Sequence, residues 1–515
     1  MDTSRYSSSQ ARTAPEPRLP RLLDQAVIVF LFLFAVFAPH SIAGTQSVWL
    51  MGMLFWVLRF VFYPRPGLWR TPVDYALLGF FILTGVSTLF SYEPMISSGK
   101  LRAASLFTIV YLVAQNVSSR RIVRLLVLTL IASCFANSLF TLGQRAIGRG
   151  VKVQSLQTES PLYAAGVRPR DTLLEVDGEK IVKPADLANA LVTDGPGPAH
   201  VKVYRHELMP IFKVERRKLL PGVSAEQQLA IAAWSRGRDW RASGFFGHYV
   251  TYAETLQLVL ALAIGLLVAL PQKRTLAGVF LSLAIAGLGY ALILTVTRAA
   301  WLGFLVSSGL ILLLGISRRA LIVVSLLAIP LVLTSVVLLQ ERRNVGFIDP
   351  NDHSTTWRQT VWREGFQLLL SKPRHLIVGV GMDSIKARWR EWGMFDGGRI
   401  PIGHMHSNVL QLALERGIPA LIVWLLLLGI YARILIGMIR RLRKDVINSA
   451  PEGAWIDYGL ALGALGGMAG FLVSGIVHYN WGDSEVVMIF YLVMGLALAL
   501  NRMVGDSSLK SFLSI

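Results

Sequence analysis

TYAETLQLVLALAIGLLVALPQKRTLAGVFLSLAIAGLGYALILTVTR, from Thr251 to Arg298, holds two apolar runs joined by Pro271-Gln272-Lys273-Arg274. Each run is roughly 20 residues, enough to cross a hydrocarbon core as a helix. The ionisable residues sit at the ends: Glu254 near the start, Lys273 and Arg274 in the turn, Arg298 at the close. A charge at the bilayer centre is costly, whereas one at the interface is tolerated. The stretch therefore reads as two successive membrane spans meeting at a basic turn.

The same pattern recurs outward from it. Apolar runs of roughly 18 to 22 residues fall near 24–43, 46–64, 72–90, 100–117, 122–143, 299–316, 320–340, 407–438, 457–478 and 484–501, besides the pair at 251–270 and 275–296. Of the 515 residues, 53% are hydrophobic and 16% charged, whereas a soluble protein carries about a quarter charged. The first run lies inside the chain, lacks a clear small-residue cleavage site and leads directly into more spans, so it is not a cleavable signal peptide. The net charge of +20 raises nucleic-acid binding, but its placement argues against that. Arg12, Arg18 and Arg21 precede the first run; Arg65 and Arg70, then Arg120, Arg121 and Arg124, then Lys273 and Arg274, then Arg318 and Arg319, then Arg440, Arg441, Arg443 and Lys444 follow every second one. Basic residues gather in cytoplasmic loops. The expected fold class is an all-α polytopic membrane protein of about twelve spans, with both termini cytoplasmic. The lone cysteine, Cys134, lies in a span and permits no disulfide or cysteine metal site.

This alternation puts two long segments on the non-cytoplasmic side and divides the chain as follows. A tail, 1–23, precedes the spans of 24–149. An insertion at 150–218 follows, then spans over 219–340. A long loop at 341–406 leads into the last spans, 407–502, and a tail, 503–515. In the insertion, SPLYAAGVRPRDTLLEVDGEKI (Ser160–Ile181) has a helical turn, a bend, an apolar strand and an Asp177-Gly178 turn. DLANAL reads as helix and His200–Arg205 alternates like a strand. The order of residues resembles a PDZ domain of the bacterial protease-associated type, a small α+β fold on the periplasmic side. The resemblance implies capture of a chain end or strand of a protein partner; packing on the membrane domain is the plainer alternative. In the second loop, TTWRQTVWREGFQLLL aligns Trp357, Val361, Gly365 and Leu368 on one helical stripe, away from Arg358 and Arg363, as an amphipathic helix on the membrane or over a cavity. A Gly379-Val380-Gly381 turn and the basic, aromatic KARWREW follow.

HMHSNVLQLALERGIPAL, His404 to Leu421, stands where this loop enters the next span. His406-Ser407, nine residues, Gly417 and then Ala420 resemble the signature of the bacterial O-antigen ligase and polymerase superfamily. TVTRAAWLG (Thr295–Gly303), RASGFFGHYVTYAE (Arg241–Glu254) and the loop from Arg358 to Gly381 resemble further family elements, in the expected order over about 240–425. The resemblance implies an inner-membrane enzyme, active on the periplasmic side, that moves a glycan from undecaprenyl diphosphate to an acceptor hydroxyl. That acceptor is lipid A-core in a ligase, or another glycan in an O-antigen or exopolysaccharide polymerase; a protein-glycosylating relative uses a side-chain hydroxyl. Arginine forks match phosphate oxygens, so Arg241 and Arg298 are placed to hold the diphosphate and its departing charge. His406 is the candidate base, since an imidazole titrates near neutrality. Direct displacement inverts the anomeric carbon and needs neither metal nor cofactor.

Arg358, His404, Tyr252, Glu254 and Asp483 are expected at the substrate. Each has a plainer reading: His406 as a helix-capping interfacial histidine, His404 as a support or as the base itself, Arg298 and Arg241 as snorkelling cations, Arg358 as a lipid-facing one, Asp483 and neighbouring His478 as ordinary loop polarity. Two other classes fare worse. A zinc protease needs a second histidine four residues after a His-Glu pair, and His206-Glu207 has none. A flippase of lipid-linked glycans predicts ionisable residues deep in several spans, whereas most spans here are nearly free of charge, apart from Glu415 and Arg416 close to an outer end.

Overall fold

The computed structural model describes residues 18–193, 195, 197–205, 209–323, 326, 353–447 and 453–512. The chain is mostly helical, and it is a multi-pass membrane protein. Among the described residues nine helices are long and apolar enough to cross a membrane: Arg18–Phe37, Pro94–Asn116 (interrupted by a 3-10 turn at Ser105–Phe107), Arg120–Ile147, Tyr249–Ala269, Leu276–Thr295, Arg298–Gly315, Asn408–Arg443, Ala454–Ser474 and Ser484–Gly505. Two further expected spans fall on the apolar helices Ile42–Arg59 and Asp74–Leu89. The latter has 16 residues and is about 24 Å long, short of a full crossing. The expected span at 320–340 lies largely outside the described residues, as do the polar turns at 349–352, His206-Glu207 and most of the first tail.

The chain divides into two compact units, residues 1–134, 257–285 and 299–515 forming the first and 135–256 with 286–298 the second. In the first unit, small residues let helix backbones approach. A Cβ on Gly265 would lie 2.5 Å from the Gly459 carbonyl oxygen and 2.6 Å from the Gly463 nitrogen; one on Gly303 would lie 2.6 Å from the Gly470 carbonyl oxygen. Lipid supplies no hydrophobic drive between helices, so such close packing supplies the attraction instead. At the start of helix Ala454–Ser474, Asp457 is fully buried and accepts two hydrogen bonds of 2.8 Å from Arg124, a bidentate pair that neutralises the carboxylate.

The second unit contains an antiparallel sheet ordered β5-β4-β2-β1-β6, with β3 paired to β2. The strands are β1 (Arg149–Leu156), β2 (Thr172–Val176), β3 (Glu179–Lys180), β4 (Ala199–Tyr204), β5 (Ile211–Val214) and β6 (Ile231–Gly237). β1 sends Val151 and Val153, two residues apart as strand alternation requires, into a core shared with Leu187 and Leu191 of helix Pro184–Val192; β2 adds Leu173 and Val176, which a register shift between Leu173 and Glu175 brings to the same core. The Asp177-Gly178 turn takes positive φ, 51° and 89°, the geometry its Asp-Gly pair favours. The sheet runs past residue 218, where the sequence reading turns to spans: β6 pairs with β1 from Arg149↔Gly237 to Leu156↔Ile231, burying Ile231 in the same core.

Candidate functional site

Helix Asn408–Ile447 is broken at Gly417, whose φ of 83° and ψ of 165° lie outside the helical range. Only glycine takes that conformation readily. Pro419, two residues on, has no N–H to donate. The break therefore leaves the carbonyls of Leu414 and Glu415 without their intrahelical donors. The Gly379–Gly381 turn supplies replacements: Val380 N–H donates to Leu414 O at 2.8 Å and Gly381 N–H to Glu415 O at 3.0 Å. Ser87 adds its hydroxyl to Glu415 O at 2.7 Å, and Tyr92 N–H donates to Val380 O at 3.1 Å. Gly379 and Gly417 approach so closely that a Cβ on either would strike backbone, of Glu415 and of Ile377 respectively. These contacts give the turn and the ERG sequence, far apart in the chain, one shared structural purpose.

Helix His353–Leu370 covers the segment that leads to the break. Val361 and Leu368 are buried, and Gly365 admits the Met405 sulfur, which a Cβ would meet at 2.8 Å. Trp357 donates its indole N–H to Pro401 O at 3.1 Å and Trp362 to Met405 O at 2.7 Å. The expected stripe thus packs on residues 399–414. His406 is half-buried at a left-handed φ of 46°, uncommon for a side-chain-bearing residue. Its ring meets the Trp357 ring edge-on at 4.9 Å. Arg358, half-buried, sits on the same helix one residue on. Asn408 accepts from Trp481 N–H at 3.0 Å and donates to Asn480 at 2.6 Å, tying the helix start to the loop that carries Asp483. Asp483 donates its own N–H to Asn480 O and precedes helix Ser484–Phe512.

His404 belongs to a different cluster. It lines a cavity of about 80 Å³ with Lys100, Asp383, Glu415, Arg416 and Tyr479. Lys386 Nζ is 3.2 Å from His404 Nε2, and the Tyr479 ring is 5.3 Å from the imidazole. Burial, assisted by the Lys386 charge, pulls the His404 pKa down to about 4, so the ring is neutral at pH 7. An ammonium beside Nε2 makes that nitrogen the acceptor and puts the ring proton on Nδ1. His404 is then a donor, which suits a supporting role better than that of a base. Burial raises the Asp383 pKa, but Lys100 at 2.6 Å and Lys386 at 3.2 Å outweigh it and hold the carboxyl below its ordinary value. Burial pushes the Tyr479 hydroxyl up, so it stays protonated.

The His404 environment has a checkable consequence. An unfolded chain's histidine protonates near pH 6.5, whereas the folded one resists to about 4. The folded state binds fewer protons in that window, so this contribution is complete above about pH 6.5 and is lost as pH falls towards 4. Melting temperatures from pH 4 to 8 are expected to fall more steeply on the acid side for the parent chain than for His404→Phe. Parallel curves would remove the assignment.

In the second unit, the other expected residues gather around one loop. Arg241 donates from Nη2 to Val296 O at 2.6 Å and lies 4.1 Å over the Tyr249 ring. Ala242 N–H donates to Leu294 O at 3.0 Å, and Val296 takes a positive φ of 54° two residues before Arg298 begins its helix. Tyr252, fully buried, shares a 2.9 Å hydrogen bond with Thr141. Gly244 turns at φ 55° between Asn137 and the Tyr252 ring, where no Cβ fits. Glu254, two residues after Tyr252 on helix Tyr249–Ala269, is also fully buried.

Sequence reasoning missed Lys100, Asp383 and Tyr479 and treated Glu415-Arg416 only as an argument against transport. Two adjacent charges inside an apolar run were the available signal, since such residues in spans are commonly functional. The helix break, the covering helix and Arg298 all fall inside residues 283–425, which match the O-antigen ligase family. Arg241, Tyr252, Glu254 and Asp483 lie outside that match, and no curated protein matches the chain. Over residues 283–425 the chain is similar to the O-antigen ligase domain, and that match supports a place in the O-antigen ligase and polymerase superfamily.

Proposed function

We propose that this protein is an inverting glycosyltransferase of the inner membrane, taking a glycan from undecaprenyl diphosphate to an acceptor hydroxyl at the periplasmic face, as an O-antigen ligase does. The observation that carries the reading is the family match over 283–425, with His406 held at a strained backbone position on the segment that enters the broken helix. The acceptor oxygen attacks the anomeric carbon while the bond from that carbon to the diphosphate oxygen breaks. His406 takes the hydroxyl proton. The diphosphate leaves with the bonding electrons, its charge held by Arg241 and Arg298, with Arg358 as a further contact. Tyr252, Glu254 and Asp483 shape the substrate's surroundings, and His404 supports from the neighbouring cavity. No metal or cofactor enters this scheme.

The sheet of residues 149–237 includes the segment whose sequence resembles a PDZ domain, and in this proposal it recruits a protein partner of an export assembly. The deciding experiment is deletion of the gene with inspection of surface glycans. Loss of attached polymer with unattached polymer retained supports the ligase; a single-repeat product replaces it with a polymerase. Unchanged glycans would end the reading.

A further inference from the structure

The polar cavity of the first unit has an uneven stock of hydrogen-bonding groups. Its two carboxylates are fully engaged. Glu415 accepts on Oε1 from Asp383 N–H at 3.0 Å and Gln411 at 2.8 Å, and on Oε2 from Arg416 and the Tyr479 hydroxyl, each at 3.3 Å. Asp383 accepts from Lys100 and Lys386. What remains unused is donor capacity. His404 Nδ1 and Arg416 Nε are both buried with no hydrogen-bond partner among the described residues, and the Arg416 side chain is only 8% exposed. Lys386 next to Nε2 leaves the His404 proton on Nδ1, so both orphans are N–H groups. Lys100, half exposed, is paired with Asp383 at 2.6 Å and has further N–H groups to offer.

Charge points the same way. Three cations, Lys100, Lys386 and Arg416, surround two carboxylates, Asp383 and Glu415, which leaves one positive charge in excess. A buried donor without an acceptor is costly, so a cavity retaining two of them is built for a group that brings only acceptors. Hydroxyl-rich neutral sugars bring donors as well and match it poorly. The cavity, of about 80 Å³, has room for a carboxylate or phosphate. We infer that this cavity is an oxyanion site, holding the carboxylate or phosphate carried by an acidic glycan through His404 Nδ1–H, Arg416 Nε–H and Lys100. None of the arginines assigned above to the diphosphate is among its lining residues. That the oxyanion is borne by a glycan rests on the transfer reading; that an oxyanion binds does not.

The test uses the full-length protein in detergent, titrated at constant ionic strength with inorganic phosphate and with glucuronate, glucose serving as the neutral control. The expected result is a saturable rise in melting temperature with at least one of the anions and none with glucose. The anion that works identifies the source, a phosphorylated or a uronic-acid glycan. His404→Leu or Lys100→Gln is expected to raise the half-saturating concentration about tenfold, the loss of one charge-assisted or buried hydrogen bond. Should His404→Leu fail to fold, Lys100→Gln at the cavity mouth decides alone. No response to either anion, or the same response in a folded variant, overturns the inference. Because no turnover is read, a failed transferase assignment leaves this result standing.

Discussion

Gly417→Ala is expected to yield a protein that is unstable in detergent and inactive. The methyl group meets two obstacles at once. The φ of 83° and ψ of 165° belong to a region that costs a side-chain-bearing residue about 1–3 kcal/mol, and the new Cβ would press on the Ile377 carbonyl. Relief requires the Gly379–Gly381 turn to move away. That would strip Leu414 and Glu415 of the hydrogen bonds that replace their missing helical donors. Buried carbonyls left unpaired add about 1–3 kcal/mol each. The measurement is thermal aggregation of the solubilised protein, with Gly429→Ala, where a Cβ meets nothing within 4 Å, as the control. Equal stability of the two variants would show that the turn does not hold the break.

His406→Ala is expected to lower transfer by about 10²–10⁴-fold, the usual contribution of a general base, while the variant folds normally and retains the lipid-linked donor. The assay is turnover of lipid-linked oligosaccharide in proteoliposomes. A loss confined to the rate, with half-saturation by donor unchanged, is the signature of a group that acts only in the transition state. The Trp357 contact supplies a companion variant: Trp357→Leu releases the ring from its edge-on neighbour at 4.9 Å and is expected to weaken transfer less than His406→Ala does. Full activity in His406→Ala removes the base assignment and returns the residue to helix capping.

Hydropathy alone located the long helices, because a membrane span must be both apolar and long enough. It overlooked the interruption at Ser105–Phe107 and placed the fourth span at 100–117, whereas the helix begins at Pro94 and carries Lys100 to the cavity. The His406 signature was legible because its residues are close together in sequence and the break at Gly417 demands glycine. The cavity was not. Lys100, Asp383, Glu415 and Tyr479 come from four separated segments, and no local spacing links them. The end of the insertion was hidden for a related reason. β6 is a short strand whose partner, β1, lies about 80 residues earlier, and a long-range pairing leaves no periodic trace in either segment.

That pairing has a consequence for how such a chain is assembled. Arg149 faces Gly237 across an antiparallel ladder, so the backbone leaves for the sheet and returns from it within about 5 Å. Arg145 bonds the carbonyl of Trp240 at 2.6 Å just outside that gate. A module with closed ends of this kind is interchangeable. It can be gained, lost or exchanged for another during descent, with a tight turn sufficing to rejoin the flanks, and a graft replacing residues 149–237 can change the module without altering the flanking sequence.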